Sequence, residues 1–332
     1  MEGVWLSGWQ KVNASLQRVQ KRLPWALIKK ILTITFFVAV AILLVVKARE
    51  IEWQKVFETL KNTEITTLAL TVALSLLCYS FYACFDLFGR YILKTNASAF
   101  KTWAAAWISY ACNLNLGALI GSVAFRYRLY SQIGVKSATV TQILGISVVT
   151  NWLGYFLLAG LLFVSGSVDV PQSWSISNVA LQVLGGVFIG VIAFYLYLCG
   201  FSSQREFQIR GRSFTLPSLK LASLQFLVAC THWTLMATVI YQFFSGQVEF
   251  TTVYAVLLIS CVAGAVSHIP GGLGVLEAVF IALLAGQMQR YEILAGLFAY
   301  RCVFYFVPLL IALPAYLIFE AKCQAPENQN GD

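Results

Sequence analysis

Long apolar stretches separated by short polar gaps run through the chain from about residue 28 to residue 319. A helix needs about 20 predominantly apolar residues to cross the hydrocarbon core of a bilayer, and these stretches have that length. The pattern therefore predicts an all-α, polytopic integral membrane protein with about seven to eight spanning helices. We expect spanning helices at about 28–46, 65–88, 137–164, 179–200, 219–244, 250–268 and 292–319.

Two of the apolar stretches are interrupted by residues that disfavour a helix. Residues 113–121 hold two asparagines and two glycines, and residues 267–274 hold a proline and three glycines. Inside a membrane, non-helical backbone is tolerated only where it is buried in protein or lines a watery cavity. Paired breaks of this kind are typical of transporter binding sites built from inverted repeats. The pattern predicts one or two re-entrant or broken helices, and residues 273–288 either cross the membrane or turn back.

The charges in the polar gaps indicate how the first break is folded. The gap 166–178 contains no lysine or arginine and is predicted to be external, whereas the gap 202–218 contains three arginines and is predicted to be cytoplasmic. The helix before the external gap then begins on the cytoplasmic side, which places Arg126 and Arg128 there as well. Residues 100–136 must then begin and end on the cytoplasmic side, which requires an even number of passes, so we expect a re-entrant hairpin.

Polar segments flank the predicted membrane domain, residues 28–319, at both ends. Residues 1–27 are basic and amphipathic, and residues 320–332 are polar and predicted to be disordered. Because lysine and arginine are enriched on the cytoplasmic side of membrane proteins, the basic segment predicts a cytoplasmic N-terminus. Residues 49–62 carry apolar residues at helical spacing, which predicts a surface helix along the outer interface.

Composition agrees with a membrane protein and removes several functional classes. Of the 332 residues, 59% are hydrophobic and 11% are charged, whereas about 25% of the residues of a soluble domain are charged. Much of the net charge of +9 lies before the first apolar stretch, which favours attraction to anionic lipid over nucleic acid. No C-x-x-C pair, P-loop or G-x-S-x-G motif is present. We therefore expect no cofactor, no metal and no catalytic residue.

Two ionisable residues fall at membrane depth close to the second break. Glu277 lies one turn into the helix that follows the glycines, and Arg301 lies within the last apolar stretch. An ionisable residue inside a membrane is costly and by default indicates a functional site. We expect the two side chains to pair or to face one cavity. A purely structural buried ion pair is the alternative.

Further polar residues extend the candidate site. Arg126 and Arg128 offer two guanidinium groups, which suit bidentate contacts with phosphate; anchoring by positive charge is the alternative. Asn151 is suited to hydrogen bonding between helices. Asp86 is predicted to cap the membrane interface or to pair with Arg90. The residues predicted to bind lipid or substrate are Arg126, Arg128, Asn113, Asn115, Asn151, His268, Gly271, Gly272, Gly274, Glu277, Arg301 and Tyr305.

The same residues carry a resemblance to a known family. The chain resembles the UPF0104 family, the membrane domain related to the flippase region of lysylphosphatidylglycerol synthase. The resemblance covers about 25–320, and its motifs are Pro270–Glu277, Arg126–Tyr130, Thr150–Tyr155 and Ala299–Arg301. It implies a multi-pass protein of the bacterial inner membrane that handles phospholipid or polyprenyl lipid. Residues 320–332 are too few to hold the aminoacyl-transferase domain of the synthase, so we do not expect lysyl transfer.

The leading functional hypothesis is a lipid translocase, or flippase-like carrier. The head group of an anionic phospholipid or a polyprenyl phosphate would enter a polar cavity between the two breaks. The arginines would neutralise phosphate, and Glu277 would orient an arginine or take up a coupling proton. Two alternatives stay open: a membrane-embedded transferase or accessory subunit acting on lipid-linked substrates, and a non-catalytic envelope scaffold. Beyond the membrane lipid, the expected partners are a second copy of the chain or other envelope proteins.

Overall fold

The computed structural model describes residues 54, 57–58, 61–166, 177–209, 212–244, 246–267, 269 and 272–324. The chain divides into two compact units, Met1–Glu52 and Trp53–Asp332, and the first lies outside the described residues. The sequence predictions that fall outside them concern 1–27, 28–46, most of 49–62, and 325–332. The bounds of the membrane domain therefore stay a prediction.

Helices make up nearly all of the described part of the second unit, and the all-α prediction is confirmed. An antiparallel pair of four-residue strands is the exception, with Glu206 paired to Thr215 and Ile209 to Arg212. In chain order the elements are α1 (Ile65–Ile92), α2 (Ala99–Leu116), the π-helical segment π1 (Ala118–Ala124), α3 (Phe125–Gln132), α4 (Ser137–Val164), α5 (Asn178–Phe201), β1 (Glu206–Ile209), β2 (Arg212–Thr215), α6 (Leu219–Tyr241), α7 (Phe250–Ser267), α8 (Val275–Leu284), α9 (Arg290–Arg301), the π-helical segment π2 (Cys302–Phe306) and α10 (Val307–Gln324).

Six helices in the described part of the chain are long and apolar enough to cross a membrane. Five are the single helices α1, α4, α5, α6 and α7, and the sixth is the continuous stretch Arg290–Ala321 formed by α9, π2 and α10. Each lies where a spanning helix was predicted from the sequence. The chain is therefore a multi-pass membrane protein.

Helix α1 is the element around which the others pack, since α2, α4 and α6 all contact it. Its buried positions recur at helical spacing, and many of them are small or polar: Thr71, Ser75, Cys78, Ala83 and Gly89. Small residues let helix backbones approach closely, which is how helices associate where lipid removes the hydrophobic driving force. A side chain at Gly89, for example, would meet the Cα atom of Ile143 in α4 at 3.0 Å.

The first break forms a helical hairpin, which we call the first hairpin (α2, π1 and α3). The chain reverses at Gly117, whose φ of 83° and ψ of 166° are available only to glycine. A Cβ atom at Gly121 would lie 2.2 Å from the carbonyl carbon of Cys112. Farther from the tip, the Tyr130 hydroxyl donates to the Thr102 carbonyl at 3.4 Å. The returning segment therefore runs antiparallel to α2, in contact with its backbone.

The second break forms another hairpin, the second hairpin, in which α8 packs back along α7. Both of its open ends lie beside the C-terminal end of α6. Phe250, at the start of α7, is 5.3 Å from Tyr241 between ring centroids, and Phe280 in α8 is 5.9 Å from Phe244. The ten residues of α8 run back along α7, and whether residues 273–288 cross the membrane stays a prediction.

The two hairpins open toward opposite ends of α1. The first opens at the C-terminal end, where Tyr130 donates to Asp86 at 2.7 Å. The second opens at the N-terminal end, where Thr63, Gln242 and Met288 line one cavity. The two hairpins are therefore inverted relative to each other, and the possible inverted repeat suggested by the paired breaks stays a prediction. Re-entry of either hairpin into a bilayer stays a prediction.

The π-helical turn π2 precedes a proline in the last long helix. Pro308 has no N–H group, so the carbonyl of Phe304, four residues earlier, loses its helical donor. The hydroxyl of Tyr79 in α1 donates to that carbonyl at 2.7 Å. Tyr79 is buried among aromatic rings, with Tyr110 at 4.6 Å and Phe304 at 5.3 Å between ring centroids. The carbonyl freed by the proline thus joins the last helix to α1.

Replacing Tyr79 with phenylalanine is expected to destabilise the protein by about 1–3 kcal/mol, because the buried Phe304 carbonyl loses its donor. Thermal unfolding in detergent measures the loss. In the double variant Tyr79→Phe with Pro308→Ala, the new N–H group can donate to Phe304, so most of the stability should return. Equal melting temperatures of the single and double variants would contradict this account.

Candidate functional site

The tips of the two hairpins contact the same turn of the last long helix. From the first hairpin, the Asn115 side-chain amide donates to the Tyr305 carbonyl at 3.2 Å and to the Ala111 carbonyl at 2.8 Å. From the second hairpin, the Gly272 carbonyl accepts from the Arg301 guanidinium at 3.2 Å. Arg301 and Tyr305 are one helical turn apart. The broken segments that the sequence predicted are therefore joined at this turn.

The charged centre of this region is the Glu277–Arg301 pair. Nε of Arg301 lies 2.6 Å from Oε1 of Glu277, and Nη2 lies 3.2 Å from Oε2, so the contact is bidentate. The guanidinium carbon also lies 5.2 Å from the centroid of the Tyr305 ring. The Arg301 side chain remains 12% exposed and the Glu277 side chain 22% exposed, so the pair is accessible from outside the protein core. The pairing expected from the sequence is present.

The local sequence places Glu277 in this position. Gly274 adopts a left-handed conformation with φ of 79°, which ends the loop and starts α8 at Val275. Glu277 is the third residue of α8, and its Oε2 accepts the Gly274 N–H at 2.9 Å. A carboxylate at this position satisfies one of the unpaired N–H groups of the first turn and interacts favourably with the helix dipole. The carboxylate is therefore held by backbone as well as by Arg301.

Arg126 takes part in a second bidentate pair, with Asp86. Its Nε and Nη2 donate to the two Asp86 oxygens at 2.9 and 3.2 Å, and its Nη1 donates to Ser122 at 2.5 Å. The two side chains are 1% and 0% exposed. Asp86 is thus neither an interfacial cap nor a partner of Arg90, which instead donates to the Ala97 carbonyl. Asp86 pairs with Arg126 because the fold of the first hairpin brings Arg126 against α1.

Arg128 lies on the outside of the same short helix. It forms an ion pair with Glu320 of α10, its guanidinium carbon lies 5.9 Å from the Tyr316 ring, and it is 60% exposed. The hydrogen bond with Glu320 raises the pKa of Arg128 above its ordinary value. Gln132 also donates to Glu320, at 3.3 Å. Arg126 and Arg128 therefore occupy different environments and do not form one bidentate site.

The remaining predicted residues are only partly brought together. Asn113 lies half-buried just before the first tip, and its carbonyl accepts the Gly117 N–H at 2.9 Å. Asn151 lies in α4, where its backbone carbonyl accepts from the indole of Trp233 at 3.1 Å. The hydrogen bond to Asn151 therefore involves main chain. His268 and Gly271 lie outside the described residues.

Two polar residues of the Asp86 cluster were missed in the sequence. Tyr130 donates to Oδ2 of Asp86 at 2.7 Å, and Ser122 accepts from Arg126. Ser122, Arg126 and Tyr130 are spaced four residues apart, so a continuous helix would carry them on one face. That spacing was a detectable signal, although the sequence did not identify the partner of this face.

A cavity of about 210 Å³ lies at the N-terminal ends of α1 and α9, away from the hairpin tips. Its polar walls include the carboxylates of Glu64 and Glu292 and the amides of Gln242 and Gln247. One Glu292 oxygen is already occupied, since it accepts the Gln289 N–H at 2.9 Å. Neither Glu277 nor Arg301 lines this cavity, so it is separate from their ion pair.

Within the residues that the structure describes, no three histidine, cysteine or acidic side chains group together as metal ligands. His232 is buried, and its Nδ1 lies 3.1 Å from the Cys78 carbonyl and 3.3 Å from the Cys78 sulfur. Aromatic rings of Tyr82, Phe85 and Tyr110 surround it at 5.4–5.7 Å between centroids. His232 thus packs within the helix bundle.

Comparison with known proteins now adds the family. A family model described as the lysylphosphatidylglycerol synthase TM region matches residues 30–312. The chain belongs to this family. Both breaks and the Glu277–Arg301 pair lie within the matched residues, and the resemblance noted in the sequence is confirmed.

The chain is similar to proteins of about its own length and to longer proteins that it matches only in part. The chain is 40% identical over 307 residues to inner membrane protein YbhN of Escherichia coli, which covers 92% of this chain and 96% of that protein. It is 27% identical over 260 residues to the uncharacterized protein slr0712 of Synechocystis, covering 77% and 80%. The phosphatidylglycerol lysyltransferase of Bacillus subtilis is 24% identical over 86% of this chain but over only 34% of its own length.

Proposed function

We propose that the protein is a lipid translocase of the inner membrane that carries the head group of an anionic lipid past the two hairpin tips. The observation that carries the proposal is the bidentate Glu277–Arg301 pair, partly exposed where both tips contact one helical turn. Charges at this depth in a membrane protein mark substrate and ion pathways. The acyl chains would stay in the bilayer while the head group passes.

Arg301 supplies the phosphate-binding group of the proposed site. A guanidinium presents its N–H donors in a planar fork that matches two phosphate oxygens. The backbone at Gly272 and Gly274 has no side chain to keep a lipid away, and the Gly272 carbonyl and Gly274 N–H already point at Arg301 and Glu277. The Asn115 amide and the Tyr305 ring complete the polar surroundings.

The identity of the lipid is proposed from charge and from the relatives. A phosphodiester or polyprenyl phosphate carries the negative charge that Arg301 would bind. The name of the Bacillus subtilis relative states that it acts on phosphatidylglycerol, an anionic lipid. Arg128 is 60% exposed at the end of the first hairpin and would attract such head groups before they enter. Arg126 would support the hairpin, since its donors are filled by Asp86 and Ser122.

The proposal is tested with purified protein reconstituted into phosphatidylcholine vesicles that contain acyl-labelled fluorescent phosphatidylglycerol. Dithionite quenching measures how fast the labelled lipid changes leaflet. Replacing Arg301 with glutamine should lower that rate about ten- to a hundredfold, matching the roughly 1.5–3 kcal/mol that hydrogen bonds to a charged group contribute. Arg301→Lys keeps the positive charge but loses the planar pair of donors, so its transport rate should lie between those of the wild type and Arg301→Gln.

Arg290→Gln provides the matched control. Arg290 begins the same helix, α9, eleven residues and about 16 Å before Arg301. Its replacement should leave the transport rate unchanged. Wild-type transport by a well-folded Arg301→Gln variant would overturn the site. Vesicles in which the wild-type protein moves no lipid would overturn the proposed function.

A further inference from the structure

At the tip of the second hairpin, the negative charge of Glu277 is neutralised by the positive charge of Arg301. Arg301 donates to both oxygens of Glu277, and the same carboxylate accepts the Gly274 N–H. The fork that would bind a phosphate is therefore occupied by a carboxylate. A lipid phosphate has to compete with Glu277 for it.

Among the described residues of the elements around this tip, Arg301 carries the one positive charge close to Glu277. Helices α7 and α8 contain no charged residue other than Glu277, and π2 contains none. The further charges of α9 and α10 are Arg290, Glu292, Glu320 and Lys322, at the far ends of these helices. Titratable neighbours with neutral side chains are Tyr300, Tyr305 and, on α7, Cys261. His268 lies outside the described residues.

Binding a phosphodiester at this site would bring together two negative charges and one positive charge. A carboxylate that loses its only counter-charge in a partly buried site is strongly destabilised. One proton on Glu277 removes this excess and leaves Arg301 and the phosphate as a neutral pair. A protonated glutamic acid can also keep its contact with the Gly274 N–H, because its carbonyl oxygen still accepts.

We infer that each anionic lipid bound at Arg301 is accompanied by one proton on Glu277, so that lipid and proton move together. This inference rests on the proposed function and specifies its coupling. The proton comes from water, an O–H bond forms on the carboxylate as its contact with Arg301 breaks, and the proton returns to water when the phosphate leaves. A zwitterionic head group, whose ammonium can face Glu277 while its phosphate faces Arg301, needs no proton.

The test measures leaflet distribution at steady state across a pH difference of one unit. Phosphatidylcholine vesicles containing the protein carry acyl-labelled phosphatidylglycerol in one set and acyl-labelled phosphatidylethanolamine in the other, and protein-free vesicles give the background. With one proton per lipid, phosphatidylglycerol should accumulate about tenfold in the leaflet facing the alkaline side. Phosphatidylethanolamine should stay evenly distributed.

Glu277→Gln, which keeps the capping contact but cannot take up a proton, should abolish the tenfold asymmetry. Glu292→Gln is the matched control. Glu292 is the third residue of α9 and accepts the Gln289 N–H at 2.9 Å, as Glu277 accepts that of Gly274. This variant should keep the asymmetry. His268→Gln should also keep it, whatever its rate, because the proton is placed on Glu277.

Each result bears on a different claim. Phosphatidylglycerol that changes leaflet but stays evenly distributed across the pH difference overturns the coupling and leaves the proposed function standing. Asymmetry retained by Glu277→Gln, or lost in His268→Gln, overturns the assignment to Glu277. If Glu277→Gln moves no lipid, the comparison of the two lipids with the wild-type protein still decides. Absence of any leaflet exchange with the wild-type protein overturns the proposed function itself.

Discussion

Replacing Arg126 with methionine is expected to lower the free energy of unfolding by about 3–5 kcal/mol, because the Asp86 carboxylate is left buried without its counter-charge. The guanidinium donates to both Asp86 oxygens, and both side chains are almost fully buried. Such a loss is a large part of the roughly 5–15 kcal/mol that keeps a typical protein folded. Thermal unfolding in detergent and the yield of monodisperse protein measure it.

Two further variants distinguish the loss of the buried ion pair from the loss of a positive charge in general. Arg128→Met removes the next arginine on the same helix, whose side chain is 60% exposed, and should leave the melting temperature unchanged. The double variant Asp86→Leu with Arg126→Met removes both charges and should recover most of the loss. A double variant as unstable as the single one would show that the ion pair is not the cause.

Replacing Gly121 with alanine is expected to prevent the first hairpin from closing. The added Cβ atom would lie 2.2 Å from both the carbonyl carbon and oxygen of Cys112 and 2.3 Å from the Asn113 nitrogen. These are backbone atoms of α2, which cannot move aside as a flexible side chain can. The cost should therefore exceed the about 1–3 kcal/mol of an ordinary overpacked core.

The measurement is again thermal unfolding, together with lipid exchange in vesicles, since the Asn115–Tyr305 contact depends on the closed hairpin. Gly145→Ala is the control. Gly145 lies within α4, and beyond the neighbouring backbone of that helix no atom lies within 4 Å of the added Cβ. That variant should change stability by no more than about 1 kcal/mol, the helix propensity difference. An equal effect of the two substitutions would contradict the close approach at Gly121.

The two bidentate ion pairs differ in exposure, which indicates a structural role for the first and a role in lipid movement for the second. The Asp86–Arg126 pair is fully enclosed and further satisfied by Ser122 and Tyr130, which suits a structural clamp. The Glu277–Arg301 pair is partly exposed and is held by backbone atoms of the second tip. We therefore expect substitutions at the first pair to act on folding, and substitutions at the second to act on lipid movement.

The sequence alone determined the class of fold and the position of the breaks. Apolar stretches of spanning length predict membrane helices because hydrocarbon requires every backbone group to be satisfied within its own segment. Glycine and proline at 117, 121, 270–272 and 274 predicted departures from helix, because their backbone requirements are local. Glu277 and Arg301 stood out for the same kind of reason, since a charge within an apolar stretch is visible without any partner.

Only the tertiary structure decided which groups meet. Arg126 and Asp86 are 40 residues apart, and nothing in local spacing distinguishes Arg126, which is buried against Asp86, from Arg128, which is exposed. The turn-back of α8 along α7 also depends on contacts with α6 that no local pattern contains. Partner choice is set by packing between distant segments, so the meeting of both hairpin tips at Arg301 and Tyr305 became visible only in three dimensions.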